Sequence, residues 1–245
     1  MATGSTRGRG RAWAILGAGV LLAGIVAIIV AAILSQPDEP APSPSGSTAG
    51  TPAPTSSAPG DDGEVVDASA SDRGWVPEPI TTDRDLYVRA ALAAASTFDT
   101  QLSTRREWLA YLDTWFTADT RYTTAEDQAD VMDAAKLEMR QGVVLPDEQW
   151  DSLAGEDGRV IAAVTGDVAF QPVSDDASGD MSIGTADVVL TFVRSDGSGG
   201  DVSYDEVARV SVQVLCGPGS VPTPDSGQSV GDCKVVRYFT EPLEP

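Results

Sequence analysis

Cys216 and Cys233 are the only thiols in the chain, and sixteen residues, GPGSVPTPDSGQSVGD, separate them. They fall at the end of one expected strand and the start of the next. In an oxidising compartment such a pair forms a disulfide. A bridge here would staple the flexible loop across adjacent strands and contribute about 3 kcal/mol in the loop-entropy view. A redox centre would want closer spacing and basic surroundings, and two cysteines without histidine do not make a zinc site. The chain has no histidine at all, which removes the commonest general base, the commonest metal ligand and every Ser-His or Cys-His pairing. The 37 acidic side chains are so many that no spacing singles out an acid–base pair. Glycines 142, 155, 158 and 166 do not form a phosphate loop followed by a helix. No catalytic, cofactor-binding or metal-ligating residue is assigned, and no cofactor is expected.

The other conspicuous chemistry is aromatic. Trp108, Tyr111, Trp115, Phe116 and Tyr122 crowd into the segment 108–122, a third of the chain's 5 Trp, 5 Tyr and 5 Phe. At helical spacing such rings make the face with which a helix covers a sheet. Trp and Tyr also mark binding hot spots, so Trp108, Tyr111, Trp115 and Phe116 are both candidate core and candidate partner contacts.

These residues need positioning, and the chain is organised in blocks. Residues 12–34, AWAILGAGVLLAGIVAIIVAAIL, carry no charge. At about 1.5 Å per residue they can cross a bilayer core of about 30 Å. The run is longer than the apolar part of a signal peptide, and Ala-Ala-Ile-Leu-Ser is a poor cleavage site, so an uncleaved single-pass anchor is expected. Arg7, Arg9 and Arg11 precede it, and the first charges after it are Asp38 and Glu39. The positive-inside rule puts residues 1–11 in the cytoplasm and the rest outside. Gly19, Ala23, Ala27 and Ala31 recur at every fourth position, a smooth stripe suited to packing against another helix in lipid, in a homo-oligomer or with a membrane partner.

The 13 basic and 37 acidic residues after the span leave that part at −24. Such a surface repels phosphate, so no direct nucleic-acid binding is expected. Plain solubility explains it, as would a salty habitat or an acidic docking face. Residues 35–72 are rich in Pro, Ser and Gly and have no apolar period, which predicts a disordered tether. The domain is expected over 73–245, with Trp75 laid onto it by an extended, proline-flanked segment.

Tyr87, Ala91, Ala94, Phe98 and Leu102 mark one helix face, with Thr82 and Asp85 resembling its start. Thr104 and Glu107 form a capping box for a second helix, and Thr123 and Glu126 one for a third, which runs to about Gln141 with Gly142 as its C′ residue. After about residue 158 the period becomes two. Segments 159–170, 182–194, 210–216 and 233–240 read as antiparallel strands, the first three linked in part by the polar loops SDDASGD and SDGSGGD. Helices followed by strands indicate an α+β domain with helices on one sheet face. About 170 residues can bury a core of their own.

With the basic tail, span, tether, the segment EWLAYLDTWFTADTRY and a four-strand curved sheet in view, the chain resembles the nuclear-transport-factor-2-like fold, a cystatin-like cone of three helices on a sheet. More narrowly it resembles bitopic conjugation proteins of the TcpC type, structural relatives of the eighth "B" component of type IV secretion systems. Arg105 to Tyr122 carries most of that likeness. The resemblance implies a non-enzymatic scaffold subunit of an envelope complex for DNA transfer, with protein partners and no catalytic residues to carry over. Abundant Ala, Gly, Asp and Val with few lysines suggest an actinobacterial host. There, accessory membrane proteins of mammalian-cell-entry lipid importers share the layout and are the alternative. A ligand-binding or isomerase-like use of the cone is a third; it would show as a dry cone with a carboxyl group pointing inward.

Overall fold

The computed structural model describes residues 63–243. The expected span, Arg7, Arg9 and Arg11, the Gly19, Ala23, Ala27 and Ala31 stripe, and the tether up to residue 62 lie outside the described residues. No helix among the described residues is long and apolar enough to cross a membrane.

The fold starts ahead of residue 73. A 3-10 helix, Ala68–Arg73, is capped by the Asp67 side chain on the Ser69 amide, and Ala70 within it is fully buried. Val65 bridges to Pro79. Four α-helices follow: α1 (Arg84–Ala94), α2 (Arg105–Asp113), α3 (Ala125–Gly142) and α4 (Asp147–Ala154). One antiparallel sheet has the order β1-β2-β3-β4-β5, from β1 (Phe98–Asp99), β2 (Arg159–Pro172), β3 (Met181–Ser195), β4 (Asp201–Leu215) and β5 (Lys234–Phe239). The architecture is the expected α+β arrangement, with five strands where four were expected and a fourth helix, α4, that the helical period did not flag.

Several boundaries moved for physical reasons. Asp83, not Thr82, caps α1, because its carboxylate takes two amides, of Asp85 and Leu86. The helix stops at Ala94 rather than reaching Leu102, which is 55% exposed. Phe98 instead pairs with Val160 as β1 and stacks on Trp150 at 4.2 Å. Its place in the helical spacing recorded burial, not helix.

The box at Thr104 and Glu107 is present as read. The third cap is Thr124, which accepts from the Asp127 amide, not Thr123. Gly142 is the last helical residue rather than C′. It is needed for close approach, since a Cβ there would lie 2.4 Å from the Thr240 methyl.

α1 packs on β2, β3 and β4, and α3 on β5. Between helices and sheet lies the main core, which includes Tyr87, Phe98, Trp108, Trp115, Val188, Val212, Val235 and Tyr238. A smaller cluster, Val173, Met181, Leu215 and Val236, is separate from it.

The Cys216–Cys233 disulfide is formed, between the residue that follows β4 and the residue that precedes β5. It closes the loop that the sequence suggested, and side-chain bonds also hold that loop: the Val221 amide donates to Thr117 Oγ1 at 2.9 Å, and the Thr223 amide to Gln228 Oε1 at 2.8 Å. Replacing both cysteines by serine is expected to lower unfolding free energy by about 3 kcal/mol, the value for a loop of this length. Chemical denaturation of the folded domain with and without reductant measures it; equal midpoints would refute the structural role.

Candidate functional site

Four of the five rings of the aromatic segment are brought together as core, while Tyr122 is exposed. Trp108 and Trp115 are fully buried, and Tyr111 and Phe116 nearly so. Trp108 lies 4.9 Å from Phe98 and 5.6 Å from Trp150, centroid to centroid. Tyr111 stacks on Trp75 at 4.9 Å, so Trp75 does lay its ring on the domain, and its indole N–H donates to Ser103 Oγ at 2.8 Å. Trp115 and Phe116 lie beyond the end of α2. The chain there runs beside β5, with the Val235 amide donating to Trp115 O at 3.0 Å and the Thr117 amide to Val235 O at 2.8 Å. None of the four rings offers a free face to a partner in this structure.

Behind these rings sits a polar group that sequence reasoning missed. Glu78 and Lys234 are 0% and 1% exposed, and Lys234 Nζ lies 2.8 Å from Glu78 Oε1. The same oxygen accepts from the Tyr87 hydroxyl at 2.7 Å and from Gln228 Nε2 at 3.2 Å. The ammonium also donates to Thr114 O at 2.7 Å and Thr223 Oγ1 at 2.8 Å. Tyr111 completes the surround: its hydroxyl accepts from the Glu78 amide at 2.9 Å and donates to Val76 O at 2.8 Å. The other carboxylate oxygen, Glu78 Oε2, has no hydrogen-bond partner among the described residues.

Burial pushes the Glu78 carboxyl up, against the opposing pull of Lys234 and its hydrogen bonds. It pushes the Lys234 ammonium down, against Glu78. Both directions say that desolvation outweighs the attraction within the pair. The buried Tyr87 hydroxyl is pushed up well above its usual range, first by desolvation and then by Glu78.

One signal in the sequence pointed here. Lys234 is one of two lysines in the chain and sits in the apolar run of β5 directly after Cys233. Nothing comparable marked Glu78, one carboxylate among many.

Chemically the arrangement is a closed knot. A carboxyl group does point inward, as a ligand-binding cone would have it, but its Oε1 is taken by an ammonium, a phenol and an amide. Fully buried rings fill the space around it. Among the described residues no group of three or more Cys, Asp or Glu side chains could hold a metal ion.

A surface cleft of about 400 Å³ lies between α2, α3 and the start of α4, lined by Arg105, Arg106, Leu109, Asp113, Arg140 and Asp147. Arg105 pairs with Asp147 at 2.7 Å, and Arg140 pairs with Asp113, so much of its basic charge is offset from within. Its two carboxylates, Asp147 and Asp113, are the partners of those arginines.

No family model and no curated protein sequence matches the chain. Solved structures similar to it include an IcmL-like type IV secretion system protein from Legionella pneumophila, 14% identical, covering 66% of this chain and 95% of that one, with a TM-score of 0.39. Another is CagV, a VirB8 homolog of the type IV secretion system from Helicobacter pylori, 15% identical, covering 57% and 82% of the two chains, with a TM-score of 0.29. Both of these structural neighbours are type IV secretion system proteins.

Proposed function

We propose that the chain is a non-enzymatic, membrane-anchored assembly subunit of a type IV secretion-like envelope complex, serving conjugative DNA transfer. The observation that carries this reading is the filled cone. Trp108, Trp115, Tyr87 and Tyr238 are fully buried between helices and sheet, and the buried Glu78 carboxylate is bound to Lys234. A domain built this way offers its outside, not an interior pocket, which suits a part that holds other parts. The basic tail, apolar run and tether ahead of it suit a subunit anchored by one helix with its domain beyond the membrane. The segment Arg105 to Tyr122 adds the resemblance to conjugation proteins.

The test is crosslinking in the native host through surface residues of the domain, followed by identification of what is recovered. Coupling and channel ATPases with channel proteins are the expected yield. Permease and substrate-binding subunits of a lipid importer would replace this reading with the importer one. Recovery of neither would overturn both and return attention to a ligand.

A further inference from the structure

Along β4 the sheet has a long edge that no strand among the described residues covers. β5 pairs with β4 only over Ser211–Leu215. In the backbone ladder the preceding ten residues of β4, Asp201 to Val210, have β3 as their strand partner. Among the described residues no strand lies along their other side. Residues 201–207 are all exposed; Val202 is 50%, Tyr204 44% and Val207 69% exposed. An exposed edge of this length, with outward N–H and C=O groups unpaired by any strand, is a template for another strand.

Its sequence, DVSYDEVARV, says which strand fits. Two copies joining edge to edge as one continuous antiparallel sheet are related by a two-fold axis through a residue that faces its own copy. Centred on Asp205 or Glu206, the pairing sets like charges opposite each other, which destabilises it. Centred on Tyr204 or Ala208, it forms no opposite-charge pair. Centred on Val207, it sets Val207 against Val207. Asp205 then faces the other copy's Arg209 twice over, Tyr204 faces Val210, and Glu206 faces Ala208, with no like charges opposed. This register uses residues 204–210 of each copy and ends where β5 begins at Ser211. Arg209 also bridges to Asp187 on β3 at 3.0 Å, a contact that holds its guanidinium on the face shared with Asp205 and Val207.

We propose that the β4 edge pairs with the same edge of a second copy of this chain, antiparallel about a two-fold axis through Val207. The acidic residues along it then select register instead of merely blocking association. The proposal goes beyond the assembly reading and does not rest on it.

The test uses the full chain, purified in mild detergent. Facing residues across an antiparallel pair have Cα atoms about 4.5–5.5 Å apart, within disulfide reach. Val207→Cys is therefore expected to form a covalent dimer under mild oxidation. Val202→Cys, which in this register stands about 30 Å from its copy along the strands, is expected to stay monomeric. Both side chains are largely exposed, so neither change threatens the fold.

A charge exchange gives a second, independent arm. Asp205→Arg alone and Arg209→Asp alone should each weaken self-association by about tenfold or more, and an equal mixture of the two should restore it as a heterodimer. A monomer at all concentrations, equal crosslinking at positions 202 and 207, or no rescue on mixing would overturn the proposal. A monomer that still co-isolates with channel proteins would remove this inference and leave the assembly reading standing. A Val207-linked dimer that co-isolates with none would do the reverse.

Discussion

Lys234→Met is expected to lower the unfolding free energy of the domain by about 3–5 kcal/mol, the usual cost of leaving one partner of a buried ion pair uncompensated. The ammonium makes four polar contacts, to Glu78, Thr114, Thr223 and Gln228. Losing it strands the Glu78 carboxylate, whose Oε2 already has no partner. The companion double variant, Glu78→Gln with Lys234→Met, should recover most of that loss, because removing both charges removes both desolvation costs. Chemical denaturation of residues 63–245 measures each. A double variant no more stable than Lys234→Met would show that the surrounding hydrogen bonds, not charge, set the cost.

The same pair gives a pH signature. Burial lowers the folded-state pKa of Lys234 from its ordinary 10.5. Between the folded and unfolded values the unfolded chain binds more protons, so stability rises with pH through that window, is lost as pH falls through it, and is flat below it, where both states are protonated. Glu78 opposes the lowering. Glu78→Gln should therefore widen the window downward and enlarge the total gain in stability as pH rises toward the ordinary lysine value of 10.5. A flat profile in that variant would mean that water reaches the ammonium.

Trp108→Ala carries the second large effect, about 3–5 kcal/mol lost, as for other fully buried large rings. Phe98 and Trp150 pack on the Trp108 ring, so truncation opens a void between α2, α4 and β1. Trp108→Phe should cost far less. The indole Nε1 is buried without a hydrogen-bond partner, and removing an unsatisfied polar group offsets part of the lost volume. Were the ring a partner contact, the alanine variant would keep its stability within about 0.5 kcal/mol and lose only binding. Thermal and denaturant unfolding of the two variants separates these outcomes.

Features written in neighbouring residues were legible from the sequence. The capping box of Thr104 with Glu107 needs only three residues of separation, and the alternation through β2, β3, the end of β4 and β5 needs only two. The two cysteines flanking a loop at strand ends left one economical pairing, and the structure has it. The aromatic segment declared burial through its spacing, although spacing alone left core and binding surface as rivals. The helix α4 carried its own local signs, Pro146 before an acidic first turn and Trp150 three residues ahead of Leu153, but too few turns to establish a period.

What tertiary structure decided was each case where a distant partner outbid the local pattern. Phe98 obeys helical spacing, yet it leaves the helix because Val160 offers a ladder and Trp150 a stacking face. Trp115 and Phe116 continue the face of α2 but run along β5, whose Val235 takes the hydrogen bonds that another helical turn would have made. Gly142 reads as a left-handed stop and is instead the place where α3 meets Thr240. Glu78 finds Lys234 across 156 residues of chain, a separation at which no period or motif operates. The bare edge of β4 exists only because β5 is six residues long beside a strand of fifteen. Local sequence sets which backbone conformations and which burial are favourable within a few residues. Which of those survive is set by contacts that close only when the sheet and helices meet.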